Sequence, residues 1–78
     1  MTAIKDMVEF IAKGLADQPD AVEVTESVGE TTVMIEMHVA SEDMGRMIGR
    51  KGRTINAIRS LARILGAKME KKVNVEIG

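Results

Sequence analysis

The chain contains no cysteine, tryptophan or tyrosine, and Phe10 is its one aromatic residue. Without cysteine there is no disulfide, no thiolate metal site and no cysteine nucleophile. With a single aromatic, the chain cannot build the stacking platform on which sheet-based readers such as the RRM and OB folds lay out bases. His38 is the lone histidine, too little for a histidine-based metal site. No apolar run reaches membrane-spanning length. The first residues, Met1-Thr2-Ala3-Ile4-Lys5-Asp6, lack a basic segment followed by a long apolar stretch, so no signal peptide is expected. The expectation is a cytoplasmic protein of one domain, residues 1–78, with a single modest core.

The charge that is present is sorted along the chain. Net charge is −1, yet residues 1–43 hold Lys5 and Lys13 against ten acids, a balance of −8. Residues 44–78 hold nine Lys or Arg against Glu70 and Glu76, a balance of +7. Such a split predicts one anion-binding surface on an otherwise acidic body. Overall acidity argues against broad coating of duplexes and for a localised contact.

Hydrophobic spacing predicts the elements. Ile4, Met7, Val8, Ile11 and Leu15 recur at helical intervals, giving a helix over 3–16 with Thr2 as N-cap and a break at Pro19. Val22, Val24 and Val28 alternate with polar residues, Gly29-Glu30 supplies a turn, and Val33, Ile35, Met37 and Val39 alternate again, so a hairpin follows. Ser41 is placed to cap a short helix through Ile48 whose inward side carries Met44, Met47 and Ile48. Residues 53–65 form an amphipathic helix, with Ile55, Ile58, Leu61, Ala62 and Leu65 on one side and Asn56, Arg59, Ser60 and Arg63 on the other. Gly66 reads as its C-cap. Val73, Val75 and Ile77 form a last strand. The order is α-β-β-α-α-β. The long two-helix crossover allows a parallel pairing, giving an α+β, two-layer fold with a three-stranded mixed sheet covered by three helices.

The segment Ile48-Gly49-Arg50-Lys51-Gly52-Arg53-Thr54-Ile55 carries the chemistry. Gly49 and Gly52 allow a sharp turn and close approach to a ligand. Arg50, Lys51 and Arg53 add cations, and the start of the next helix adds unpaired N–H groups and the positive end of a dipole. That combination suits a chain of phosphates. It does not match the nucleotide P-loop, because Gly45 is followed four residues later by Gly49 and no Gly-Lys pair. The acids of residues 17–30 read as a solvated face, and His38 as a surface residue on the outer side of a strand. No enzymatic chemistry and no cofactor are expected.

With helices on both sides, this string resembles the GxxG loop of KH domains, which clamps a short single strand by its backbone. The element order resembles the type II, or prokaryotic, KH topology, and the size of the chain is similar to that of the small stand-alone bacterial KhpA family of RNA-binding proteins. The Gln18-Pro19-Asp20 turn and the Lys71-Lys72-Val73 approach to the last strand also resemble that family. The resemblance implies a groove with residues 41–65 on one side and residues 72–77 plus the Val28-Gly29-Glu30-Thr31 turn on the other. Within it, Gly49, Arg50, Lys51, Gly52 and Arg53 would hold phosphates. Ile48, Ile55 and Val75 would offer aliphatic surface, if they are not simply core. Gly45 would permit close approach, and Arg46 and Arg59 would make flanking phosphate contacts, if they are not simply solvated. Single-stranded RNA is the implied ligand, with modest affinity because aromatic stacking, about 1–3 kcal/mol per base, is missing.

A different function is also compatible with the residues. Ala57 and Ile64 widen the apolar arc of the later helix, Phe10 lies beside the main stripe of the first, and Met34 lies on the outer side of its strand. These could complete a generous core or meet a second chain. The resemblance implies a homodimer, or a heterodimer with another KH-containing protein. An adaptor without RNA binding is the alternative.

Overall fold

The computed structural model describes residues 2–78. Helix α1 (Ala3–Leu15) starts at Thr2, whose hydroxyl accepts the N–H of Lys5 at 3.1 Å and donates to Glu26 Oε2 at 2.6 Å. The cap thus also ties α1 to the sheet. The Thr2 hydroxyl, foremost, holds the Glu26 carboxyl below its usual range. After a 3₁₀ turn at Pro19–Ala21, strands β1 (Glu23–Val28) and β2 (Thr32–His38) form an antiparallel hairpin with Val24 opposite Met37. The hairpin closes through Gly29 N–H to Thr32 O at 2.8 Å. A 3₁₀ turn at Ser41–Asp43 leads into α2 (Met44–Ile48), and a tight turn at Arg50–Gly52 leads into α3 (Arg53–Lys68). Strand β3 (Lys72–Ile77) returns parallel to β2, with Val75 opposite Ile35, giving the sheet order β1-β2-β3. This is the mixed sheet and element order read from the sequence.

All three helices lie on one sheet face. Ile4, Val8 and Ala12 of α1, Val33, Ile35 and Met37 of β2, and Ile58 and Ala62 of α3 are essentially fully buried between the layers. Each large side chain so buried contributes about 1.5–3 kcal/mol. Glu36, His38, Asn74 and Glu76 face outward on the other side, where His38 Nε2 lies 3.6 Å from Glu36 Oε2.

Three local expectations are corrected. Ser41 caps nothing. Its hydroxyl bonds to Glu42, and the segment begins as a 3₁₀ turn. Gly66 does not end α3 but lies buried within it, since a Cβ there would sit 2.3 Å from Val73 Cγ2 and 2.9 Å from the Lys71 carbonyl. The glycine lets helix and strand touch. The chain then reverses through Glu70, a non-glycine residue at φ 58. Leu61 is 45 % exposed, because the buried stripe of α3 runs Ile55, Ile58, Ala62, Gly66 and leaves Leu61 to one side.

Candidate nucleic-acid interface

The loop between α2 and α3 is built on three positive φ angles. Gly49 (φ 79, ψ 171) occupies a region essentially closed to other residues. Lys51 (φ 57, ψ 25) and Gly52 (φ 75, ψ 15) are left-handed. Gly49 also has no room for a side chain, because a Cβ would lie 2.4 Å from Thr54 Oγ1 and 2.8 Å from the Thr54 amide nitrogen. The turn is held by its own backbone. Gly49 N–H donates to Gly45 O at 2.9 Å, and Gly52 N–H to Gly49 O at 3.1 Å. No side chain caps α3, and the Arg53 N–H donates to the Arg50 carbonyl, so the loop lies beside the positive end of the α3 dipole.

The fold divides the nine cations of residues 44–78 into two groups. Arg46 is occupied: Nη1 donates to Asp17 Oδ1 at 3.0 Å and to the Leu15 carbonyl at 3.2 Å, and Nη2 donates to Asp17 Oδ2 at 3.2 Å. Arg59 donates through Nε to the Val75 carbonyl at 3.1 Å, bridging α3 to the outer strand. Lys71 donates to the Gly29 and Glu30 carbonyls, fastening the hairpin turn to β3. Among the described residues, Arg50, Lys51, Arg53, Arg63, Lys68 and Lys72 have no such partner. The first three project from the loop and the start of α3, and all are exposed.

The aliphatic residues separate in the same way. Ile48 is 38 % exposed next to the loop, whereas Ile55 and Val75 are each 4 % exposed and belong to the core beneath it. Those two supply a floor, not a surface. Gly45 lies on α2, and a Cβ there would meet nothing within 4 Å, so packing does not require glycine at that position. The Val28–Thr31 turn lies beside Lys71 and Lys72, at the C-terminal end of α3. Sixteen helical residues, roughly 24 Å, therefore separate it from the glycine loop.

One contributor was missed in the sequence. Asp43 is 1 % exposed, and its carboxylate accepts the backbone N–H of Asp17 through Oδ1 and that of Gln18 through Oδ2, both at 3.0 Å. The Asp17 N–H, foremost, holds its carboxyl below the usual range. Asp43 thereby anchors the start of α2 to the chain leaving α1, and α2 carries the loop. Its polarity gave no hint of burial; the only trace was its position immediately before Met44-Gly45.

No helix of the described residues is long and apolar enough to cross a membrane. The KhpA/KhpB KH-domain family model matches residues 5–77. The chain is 50 % identical over 72 residues to a protein of Caldanaerobacter subterraneus named RNA-binding protein KhpA, covering 92 % of this chain and 96 % of that one. A protein of the same name from Clostridium perfringens is 46 % identical over 95 % of this chain and 99 % of its own length. Another, from Aquifex aeolicus, is 46 % identical over 99 % and 98 %. No solved structure matches the chain significantly.

Proposed function

Because this chain belongs to the KhpA/KhpB family of KH domains, we propose that it binds RNA, holding a short single strand in a groove that starts at the Gly49–Gly52 loop. One observation carries the reading: three unpartnered cations, Arg50, Lys51 and Arg53, surround a glycine turn whose first residue has no space for a side chain, at an uncapped helix start. Phosphates meet charge and N–H donors there, and Ile48 offers the apolar contact for a base. Gly45 adds open backbone surface along α2. No catalytic role is assigned, since the family is one of RNA-binding proteins and the lone histidine is exposed on the opposite sheet face.

The test is charge reversal. Arg50→Asp with Lys51→Asp should reduce single-stranded RNA binding at least tenfold in an anisotropy titration while thermal stability stays within about 0.5 kcal/mol, because exposed charges contribute little to folding. Wild-type binding by the double variant, or tighter binding of duplex than of single strand by the native protein, would reject the clamp.

Self-association is a second reading, favoured by exposed apolar side chains on two helices: Phe10 is 81 %, Ile64 61 % and Leu61 45 % exposed. Sedimentation of the native protein against Phe10→Glu and Ile64→Glu variants decides it. An adaptor that does not touch RNA would keep its association and its partners when Arg50 and Lys51 are reversed.

A further inference from the structure

We propose a second phosphate-binding site at the far end of the α3–β3 seam, formed by Arg63 and Lys72 and taking a later phosphodiester of the strand held by the glycine loop. The inference rests on the clamp reading above and extends it. A surface hollow there is lined by Arg63 and Ala67 of α3 and by Lys71, Lys72, Val73 and Asn74 around the start of β3. Because Gly66 lacks a side chain, α3 and β3 meet at Val73, and the hollow lies beside their contact.

Its cations are available. Arg63 and Lys72 have no hydrogen-bond or ion-pair partner among the described residues, and both are exposed. Lys71 is held back by the hairpin carbonyls, so it shapes the hollow more than it supplies charge. Asn74 adds an amide that can donate to or accept from a base edge. Glu70 lines an adjoining depression with Lys71 and Lys72 and offsets one positive charge, leaving the end of the seam net basic.

The two sites are connected by a polar track. Asn56, Arg59 and Arg63 recur at intervals of three or four along α3, and Arg59 already bridges to β3 midway. Arg53 and Arg63 are ten residues apart, roughly 15 Å along the helix axis. A tetranucleotide spends its phosphodiesters on Arg50, Lys51 and Arg53 at the loop, so only a longer strand following the seam has phosphates left for the hollow.

The salt dependence of binding reports this, since extra registers on a long strand raise affinity but not the number of phosphates neutralised. Anisotropy titrations would use labelled single-stranded RNAs of four and twelve nucleotides at several salt concentrations. The native protein should give a slope steeper by about 1.4 on the twelve-mer, two phosphates at 0.7 each. Arg63→Glu with Lys72→Glu should leave four-mer binding within twofold of native and return the twelve-mer slope to the four-mer value. The uncharged pair Arg63→Gln and Lys72→Gln should do the same, which guards against a folding defect in the reversed pair. Equal slopes for both lengths in the native protein, or an unchanged twelve-mer slope in the variants, would overturn the second site with the clamp intact. Failure of Arg50→Asp with Lys51→Asp to weaken the four-mer would instead overturn the clamp.

Discussion

Asp43 Oδ1 accepts the backbone N–H of Asp17 at 3.0 Å, so the residue that opens α2 is bonded to the one that follows α1. Arg46, one turn later, grips the side chain of the same Asp17. The junction fixes the direction from which α2 delivers the glycine loop, and it consumes an arginine that the sequence had offered to phosphate.

Asp43 should therefore give folding a recognisable pH dependence. Its carboxyl is held below the usual range in the folded state. The stabilisation is thus complete above the unfolded value, about 3.9, and is lost as pH falls through the folded one. Asp43→Asn leaves one of the two N–H groups poorly paired and removes the charge. The variant should melt below the native protein at pH 7, and the gap should shrink as pH falls from about 5 toward 3. Thermal melts across that range check this. A gap independent of pH would mean that the carboxylate charge is irrelevant to the anchor.

Two glycines should respond oppositely to alanine. Gly66→Ala forces a methyl group onto Val73 and the Lys71 carbonyl and should destabilise by about 1–3 kcal/mol, despite better helix propensity. Gly45→Ala meets nothing and should stabilise by roughly 0.5–1 kcal/mol. On the clamp reading, Gly45→Ala should nevertheless weaken RNA binding, because the methyl stands where the strand approaches. Urea denaturation with parallel RNA titration separates the effects. Unchanged binding by Gly45→Ala would remove α2 from the interface.

Cations that look equivalent in sequence should not be equivalent in salt titrations. Three free side chains at the loop imply a slope near −2 for a tetranucleotide, at about −0.7 per phosphate. Removing Arg50, Lys51 or Arg53 singly should make it shallower by about 0.7. Removing Arg46 should leave the slope nearly unchanged and cost less than about 1 kcal/mol of stability, as its pair with Asp17 is largely exposed. A full 0.7 change on Arg46→Ala would show that the arginine abandons Asp17 for phosphate.

Periodicity and turn chemistry made most of the fold legible. The Thr2 cap, the hairpin and the two helices flanking Gly49–Gly52 stand where the apolar spacing put them. The failures share a cause: local rules do not know what lies across the molecule. Gly66 satisfies the rule for a helix end, yet it is glycine because Val73 needs the space, and Glu70 takes the left-handed turn instead. The resemblance put Ile55 and Val75 on facing sides of a groove, but the close α3–β3 contact buries both in the core. Asp43 looks like any helix-leading acid until the chain leaving α1 closes over it.

The loop is wound before any ligand arrives, by hydrogen bonds from Gly49 to Gly45 and from Gly52 to Gly49. On the clamp reading, the protein consequently surrenders little conformational freedom on binding, and the entropy of ordering falls on the nucleic acid. The ligand's own folding then contributes to which strands are held. An RNA whose hairpin loop or bulge already displays its bases unstacked would then be captured at lower entropic cost than the same bases in a mobile tail.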